Sequence, residues 1–216
     1  MEVGSDEAGK GPVLGPMVAA AVRVDADALP DGVDDSKRLT PTRREELAAE
    51  IRAVADGVAV AIVPTDRIDA PETDMNTLTV EAHAEALAGV VETGDHAFVD
   101  AGDVSESRFG RRVLAGVETD GSDADFELTA AHRADVRYPV VAAASIVAKV
   151  ERDRRIDSLR AQFGDVGSGY PSDPTTRAFL RDYVREHGTL PSCARTSWKT
   201  CADVLSAAEQ SALDDF

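Results

Sequence analysis

The pattern of hydrophobic and polar positions predicts strands and helices that alternate along the chain. Residues 1–24 form two apolar segments around a glycine-rich stretch, which indicates a pair of strands. Apolar runs bounded by turn residues predict strands at residues 16–24, 57–64, 96–100 and 126–130. Apolar residues at helical spacing predict helices at residues 42–55, 75–91, 105–115 and 175–187. Thr40 followed by Pro41 is the N-cap signal of the first of these helices.

A long apolar helical pattern follows residue 138 and indicates where the chain divides. The charged segment 152–155 interrupts this pattern, and apolar residues from Ile156 onward continue it on a shifted face. This shift predicts three parts of the chain, which are a first domain at 1–158, a C-terminal helical domain at 159–209 and a tail at 210–216.

Length and composition limit the classes of protein that the chain can form. A chain of 216 residues suits one domain with an appendage, or two small domains, and can bury a substantial core. No apolar run reaches ~18 residues and no signal peptide pattern is present, so we expect a soluble cytoplasmic protein that does not bind membranes. Cys193 and Cys201 lack a metal-binding spacing and are predicted to be ordinary thiols.

The charge balance is strongly acidic. Lys and Arg number 23 and Asp and Glu number 40, which gives a net charge of −17, whereas an unspecific DNA-binding protein is expected to be basic. The acids are spread through the chain, for example at 31–35 and 120–125. We interpret this as adaptation to high salt, where screening makes a dense acidic surface tolerable. Because salt also weakens phosphate contacts, binding of a nucleic acid would depend on metals and direct hydrogen bonds.

The clearest candidate for chemistry is the adjacent acid pair Asp6 and Glu7 in the glycine-rich stretch. Adjacent residues of a strand point to opposite faces, so a regular strand would direct one of the two acids to a given site. A strand that ended or bulged there could bring both acids to one cation. The alternative is a tight turn with two solvated acids.

The glycines that follow this pair allow close approach of the backbone to a ligand. Gly9, Lys10 and Gly11 could offer their N–H groups to a hydroxyl or a phosphate oxygen. The spacing from Gly4 to Lys10 fits part of a nucleotide-binding loop, but Gly11 replaces the magnesium-binding hydroxyl and the two acids would repel phosphates. The stretch is therefore not such a loop.

Another acid, Asp100, stands at the end of a predicted strand. The carboxyl end of a strand is where α/β folds place their chemistry, which favours Asp100 over Asp103 in the following loop. The alternative is a turn aspartate at the start of that loop.

Several strings together resemble the type 2 ribonucleases H (the ribonuclease HII family). The family has an Asp-Glu pair followed by Ala-Gly-[Arg/Lys]-Gly-Pro, and this chain has the same sequence at residues 6–12. Further similar strings, which extend the resemblance over nearly the whole chain, are Asp-Ser-Lys-Arg-Leu at 35–39, Ala-Ala-Ser-Ile-Val-Ala-Lys at 143–149, Gly-Ser-Gly-Tyr-Pro at 167–171 and the archaeal-type Arg-Thr-Ser-Trp at 195–198.

The resemblance implies an α/β fold of the ribonuclease H-like kind, with a mixed five-stranded sheet flanked by helices and a C-terminal helical segment. It also implies that four carboxylates gather at one site, namely Asp6, Glu7, Asp100 and Asp135. Such a set suits two Mg²⁺ or Mn²⁺ ions, which prefer oxygen ligands. The implied activity is endonucleolytic hydrolysis of RNA in RNA/DNA hybrids and cleavage 5′ of single ribonucleotides in DNA, leaving 5′-phosphate and 3′-hydroxyl ends.

The resemblance further assigns residues to the substrate. Gly9, Lys10 and Gly11 would recognise the ribose 2′-hydroxyl, the group that distinguishes RNA from DNA. Tyr170, held between glycines and a proline, would stack on the next sugar.

Three other polar residues are candidate phosphate contacts. Lys37 precedes the first predicted helix, and Ser145 and Lys149 lie four residues apart on one helix face, where both could reach one phosphate. The alternative for each is a solvated side chain.

The last residues resemble the clamp-binding motif of replication proteins, with Gln210, Leu213 and Phe216 at one-turn spacing. The second terminal aromatic residue of that motif is missing, and a frayed acidic tail is the alternative. We expect a monomer that acts in removal of ribonucleotides and RNA primers during replication and repair.

Two other functions remain open at this point. A type 3 ribonuclease H would cut hybrids but not single ribonucleotides, and its usual long N-terminal extension is not expected here because the acids begin at residue 6. An inactive clamp-associated nucleic-acid-binding protein is a different class, which the presence of all four acids argues against.

Overall fold

The protein is built around one mixed sheet. The computed structural model describes residues 1–33 and 39–214, with side chains up to residue 210. The strands are β1 (Glu2–Ala8), β2 (Met17–Val24), β3 (Gly57–Val63), β4 (His96–Asp100) and β5 (Glu127–Ala131). Their order in the sheet is β3-β2-β1-β4-β5, with β1 antiparallel to β2 and parallel to β4, and β4 parallel to β5. The predicted mixed five-stranded sheet is confirmed.

Helices flank this sheet and dominate the C-terminal part. In the described part of the chain the α-helices are α1 (Pro41–Val54), α2 (Thr65–Ile68), α3 (Met75–Ala88), α4 (Glu106–Thr119), α5 (Ala134–Arg137), α6 (Pro139–Phe163), α7 (Pro174–His187) and α8 (Lys199–Asp214). The N-cap predicted at Thr40 is confirmed, because its hydroxyl accepts a hydrogen bond from the Arg43 N–H. None of these helices combines the length and apolar composition that a membrane-spanning segment needs.

The chain divides into two compact units, of which the first contains the sheet. It comprises Met1–Lys10, Met17–Ile62 and Asp74–Arg152. On one face of the sheet, apolar residues of β2 and β4 pack with α1 and the first half of α6 in a buried cluster. α3 lies against the opposite face, and side chains along β1 alternate between the two, as a regular strand requires.

The close approach of α6 to β1 depends on Gly4. A methyl group built on Gly4 would lie 2.1 Å from the carbonyl carbon and oxygen of Val140 in the first turn of α6. Because these are backbone atoms, the helix could not make room by changing a rotamer. The alanines Ala142, Ala143 and Ala144 are fully buried in the same helix, so small residues on both elements permit the contact.

The second unit comprises Gly11–Pro16, Val63–Thr73 and the chain from Asp153 on. Its core contains Leu14, Ile156 and Leu180. Arg195 is fully buried and its Nε donates to the Gly15 carbonyl at 2.9 Å, so the glycine-rich loop is bound to the C-terminal part of this unit. The buried cysteines of this unit are free thiols, as predicted.

Two features of the chain differ from the simplest interpretation of its sequence. β1 pairs regularly with β2 as far as Ala8, so the strand neither ends nor bulges at the acid pair. α6 runs without interruption through the charged segment 152–155, and the chain passes from the first unit to the second after Arg152, within this helix. The division into domains after residue 158 stays a prediction.

Candidate active site

Asp6 lies near the carboxyl end of the central strand β1 and is almost completely buried. The parallel register pairs Ser5 with Val99, which brings Asp6 and Asp100 to the same edge of the sheet. Burial raises the pKa of Asp6 from 3.8 to about 7, and the negative charges of Glu7 and Asp100 add to this effect. A hydrogen bond with Ser145 acts in the opposite direction and favours the ionised form.

Glu7 points to the other face of β1, where it contacts His83 of α3. The Nε2 atom of His83 lies 2.9 Å from Glu7 Oε2, and its Nδ1 atom lies 2.8 Å from Ser5 Oγ. Burial opposes ionisation of Glu7, yet the pKa of this carboxyl is lowered because the hydrogen bond and charge of His83, together with the charge of Lys10, stabilise the carboxylate.

Asp100 and Asp135 are connected through the backbone. Asp100 Oδ1 accepts a 2.7 Å hydrogen bond from the N–H of Ala134, the residue before Asp135. Burial raises the pKa of Asp100, and the charges of Glu7 and Asp135 contribute in the same direction. Arg133 has φ 55°, in the left-handed region, where the chain turns into α5, so this turn holds a strained backbone next to the acids.

The four acids predicted from the sequence are therefore linked electrostatically through Asp100, which is affected by the charges of Glu7 and Asp135 and itself affects Asp6. Within residues 1–33 and 39–214, no group of three or more His, Cys, Asp or Glu side chains already converges as a metal-binding cage. The donor set nevertheless fits Mg²⁺ or Mn²⁺, because the donors are carboxylate oxygens. Burial is the main cause of the raised pKa of Asp6 and of Asp100, and the charges of neighbouring acids add to it. A divalent cation bound beside these carboxyls would favour their ionised form.

The start of the glycine-rich loop lies beside these acids in the first unit. Gly9 has φ 86°, a conformation that glycine adopts without strain. The Lys10 ammonium donates a 2.8 Å hydrogen bond to the carbonyl of Gly102. A methyl group built on Gly102 would lie 3.0 Å from Thr79 Cγ2 and 3.1 Å from Lys10 Nζ, so a side chain at this position would crowd these two groups. Glu7 Oε1, at 3.6 Å, would be in ordinary van der Waals contact with it.

The rest of the loop lies in the second unit, next to Tyr170. The N–H groups of Val13 and Leu14 both donate to the Gly169 carbonyl, at 2.8 and 3.2 Å. A methyl group built on Gly11 would lie 3.9 Å from Tyr170 Cε1. Tyr170 is 41% exposed, so its ring is accessible next to Gly11. The structure thus brings together two residues that the sequence assigned separately to the substrate.

The turn that carries Tyr170 is held by side-chain hydrogen bonds. Asp173 accepts from the Ser168 hydroxyl and from the N–H groups of Ser168 and Thr175, and these bonds lower the pKa of Asp173 to about 2. Thr176 Oγ1 accepts from the Gly169 N–H and donates to a backbone carbonyl. The position of the tyrosine is therefore set by a connected network.

The remaining predicted residues are placed as follows. Ser145 is buried and accepts a 2.8 Å hydrogen bond from Lys149, in addition to its contact with Asp6. Contact of Ser145 and Lys149 with a substrate phosphate stays a prediction. Lys37 lies outside the described residues. Gln210 is exposed on α8, which also includes Leu213, while the side chain of Leu213 and all of Phe216 lie outside the described part.

Sequence reasoning did not identify Ser5, His83 or Gly102 as part of this site. The two contacts of His83 span 76 and 78 positions of sequence, and no local motif indicates them. Asp103, the alternative to Asp100, forms a two-point ion pair with Arg108. The choice of Asp100 as the site residue stays a prediction.

Comparison with known proteins gives consistent matches over the chain. A model of the family described as Ribonuclease HII matches residues 3–201. A relative from Haloarcula marismortui named Ribonuclease HII is 61% identical over 216 residues, which is 100% of both chains. The ribonuclease H2 structure from Pyrococcus horikoshii has a TM-score of 0.89 and 37% identity, covering 97% of this chain and 99% of that one. The PCNA:RNase HII complex from Archaeoglobus fulgidus has a TM-score of 0.83 and 43% identity, with 100% of each chain covered.

A more distant match shares the fold alone. The structure of Bst-RNase HIII in complex with Mn²⁺ has a TM-score of 0.76 and 22% identity, and it covers 97% of this chain and 70% of that one.

Proposed function

The chain belongs to the ribonuclease HII family, which hydrolyses the RNA strand of RNA/DNA hybrids, and we propose that it also cuts DNA on the 5′ side of single embedded ribonucleotides. The proposed products carry 5′-phosphate and 3′-hydroxyl ends. The observation that supports the site most strongly is that the charges of Glu7 and Asp100 help to raise the pKa of Asp6, while those of Glu7 and Asp135 help to raise the pKa of Asp100. Acids from separate segments that are held in such proximity are typical of a functional site rather than of a solvated surface.

Two divalent ions, Mg²⁺ or Mn²⁺, are the proposed cofactors, and the four acids would hold them. When bound, such ions supply activation of a water and stabilisation of the leaving oxygen in an in-line displacement. The other residues prepare the acids for this role. Ser145 favours the ionised form of Asp6, and the Ala134 N–H holds one oxygen of Asp100.

Recognition of the ribonucleotide is assigned to two groups. The backbone of Gly9, Lys10 and Gly11 would hydrogen-bond to the 2′-hydroxyl, which is present in RNA and absent from DNA. Tyr170 would stack on the following deoxy sugar, since its exposed ring lies next to Gly11. Lys37, Ser145 and Lys149 remain proposed phosphate contacts.

The direct test is cleavage of a DNA duplex that contains one ribonucleotide, with Mg²⁺ or Mn²⁺ over a range of salt concentrations. We expect one cut, on the 5′ side of the ribonucleotide. A duplex with 2′-O-methyl at the same position is the matched control and should resist cleavage, because the methyl group replaces the hydroxyl proton and blocks close approach of the loop backbone to the 2′-oxygen. Cleavage of long hybrids only would contradict the proposed specificity, and no cleavage with either metal at any salt would favour a binding protein.

Tyr170→Ala is expected to reduce cleavage at the single ribonucleotide by about 10–100-fold, the loss typical of one stacking contact. Because Tyr170 is 41% exposed, the change should leave the melting temperature nearly unaltered. Tyr170→Phe keeps the ring and should retain most of the activity. Steady-state cleavage of both variants on the embedded ribonucleotide checks this, and unchanged cleavage by Tyr170→Ala would count against the stacking role.

The protein should be more stable in molar KCl than in dilute buffer. The net charge of −17 and the similarity to a protein of a halophilic archaeon indicate a halophilic protein, in which salt screens repulsion between surface acids. We expect a gain of roughly 5–10 °C in melting temperature, equivalent to about 2–3 kcal/mol for a chain of this size. Sucrose at equal osmolality is the control, since it does not screen charge. Equal melting temperatures in KCl and dilute buffer would contradict the salt adaptation.

The C-terminal motif would bind the replication sliding clamp. The neighbour from Archaeoglobus fulgidus was solved in complex with PCNA, and Gln210 is exposed here on α8. Phe216→Ala should weaken binding to an archaeal clamp by at least about tenfold, because an aromatic anchor is lost from the groove. Surface plasmon resonance measures clamp binding, and cleavage in the absence of the clamp is the control. Equal clamp binding by Phe216→Ala and the unchanged protein would contradict the motif.

We also propose that the protein is a cytoplasmic monomer that removes ribonucleotides and RNA primers.

A further inference from the structure

His83 makes two hydrogen bonds, and both go to the strand that carries the acid pair. Its ring is fully buried in α3, with Nδ1 2.8 Å from Ser5 Oγ and Nε2 2.9 Å from Glu7 Oε2. The ring also packs edge-to-face on Phe109, at 5.4 Å between centroids and 84° between planes. Three contacts therefore define the position and the rotation of this imidazole.

The partners limit how the two ring nitrogens can bond. A carboxylate can only accept, so His83 Nε2 carries a proton and donates to Glu7. Nδ1 accepts from the Ser5 hydroxyl when the ring is neutral and donates to the Ser5 oxygen when the ring is charged, so Ser5 holds Nδ1 in either form. Ser5 is fully buried, so water does not compete for its hydroxyl.

Glu7 is held differently at its two carboxylate oxygens. Oε2 accepts from His83, whereas Oε1 is directed toward Gly102, where a built methyl group would lie 3.6 Å away. The Gly102 carbonyl in turn accepts from Lys10 Nζ. The imidazole therefore determines which oxygen of Glu7 faces Gly102 and Lys10.

We propose that His83, oriented by Ser5, is a positioning residue that holds Oε2 of Glu7 so that Oε1 is presented to the divalent cation. The inference rests on the proposed role of Glu7 as a metal ligand. It adds a function for a buried histidine that would otherwise belong only to the core. Outer hydrogen bonds of this kind fix the orientation of metal-ligating side chains.

The test compares His83→Leu with His83→Gln in the full chain. Leucine removes the donor, whereas the glutamine amide can still donate to Glu7. Isothermal titration with Mn²⁺ alone should show about 10–100-fold weaker binding for His83→Leu. His83→Gln should bind Mn²⁺ within about threefold of the unchanged protein. For cleavage of a hybrid duplex, His83→Leu should lower kcat and leave KM for the duplex unchanged, because the histidine does not contact nucleic acid.

Melting temperatures separate positioning from stability. If His83→Leu and His83→Gln melt alike and only the leucine variant loses Mn²⁺ affinity, positioning is supported. Equal Mn²⁺ affinity in a folded His83→Leu protein overturns it. If the leucine variant does not fold, Ser5→Ala takes its place, with an expected loss of about threefold in Mn²⁺ affinity, and unchanged affinity there overturns the inference.

Glu7→Gln, measured in parallel, distinguishes this inference from its premise. If Glu7→Gln loses Mn²⁺ affinity and folded His83→Leu does not, the positioning role alone is wrong. If Glu7→Gln binds Mn²⁺ like the unchanged protein, the ligand role of Glu7 is wrong, and the positioning role is overturned with it.

Discussion

Replacing Asp6 with asparagine is expected to lower cleavage of an RNA/DNA hybrid by about 10³-fold or more, a loss of roughly 4 kcal/mol of transition-state stabilisation. Asparagine keeps the shape of the side chain and removes the negative charge that a divalent cation needs. Binding of the duplex should be retained, because the proposed substrate contacts lie at Gly9, Lys10, Gly11 and Tyr170.

The same substitution should preserve or raise stability in the presence of EDTA at pH 8. The pKa of Asp6 is raised from 3.8 to about 7 in the folded protein, so ionisation disfavours the folded state as pH rises from about 4 and has its full effect above about 7. Asparagine carries no charge and avoids this cost. Asp6→Asn should therefore lose activity while it keeps or gains stability. This result is expected for a carboxylate that serves catalysis rather than folding.

The measurements are single-turnover cleavage and thermal melting at pH 6 and pH 8. Asp123→Asn is the matched control, since it removes one charge from an exposed position between α4 and β5. It should leave cleavage unchanged. Near-native turnover by Asp6→Asn would show that the four acids are not the catalytic site.

Gly4→Ala is expected to destabilise the protein by at least about 3 kcal/mol, or to prevent folding. The added methyl group would lie 2.1 Å from the carbonyl carbon and oxygen of Val140, so α6 would have to move away from β1. Asp6 lies on the same face of β1, and its contact with Ser145 of α6 would be disturbed as well. Any Gly4→Ala protein that still folds should therefore also bind Mn²⁺ more weakly.

Urea unfolding in molar KCl measures this effect. Gly11→Ala is the control, because a methyl group built there meets its nearest atom at 3.9 Å, an ordinary van der Waals contact. It should change the free energy of unfolding by no more than about 0.5 kcal/mol. If Gly4→Ala unfolds at the same urea concentration as the unchanged protein, the close packing of α6 on β1 is wrong.

Local sequence signals were sufficient for most secondary structure. The helix predicted at 42–55 is observed as Pro41–Val54, and the strand predicted at 96–100 is observed as His96–Asp100. These elements depend on neighbouring residues, such as the cap at Thr40 and the apolar run before Asp100, so a short window of sequence contains the necessary information. The helix predicted at 75–91 ends earlier, at Ala88, because boundaries depend on tertiary packing as well.

The candidate site was only partly contained in the sequence. Asp6, Glu7, Asp100 and Asp135 could be named from motifs, and their convergence followed from the family resemblance rather than from their spacing. The faces to which Asp6 and Glu7 point followed from strand geometry, but their partners Ser145 and His83 did not. Those partners belong to helices far along the chain.

The sequence alone therefore determined the order of the elements, the chemical types of the candidate ligands and the acidic surface, because each is a property of single residues or near neighbours. Tertiary structure decided which side chains meet and how deeply Asp6 is buried. It also decided the opposite pKa shifts of Asp6 and Glu7, which are adjacent in sequence. Burial and hydrogen bonding are set by groups distant along the chain, so adjacent carboxyls can differ in ionisation once the fold surrounds them.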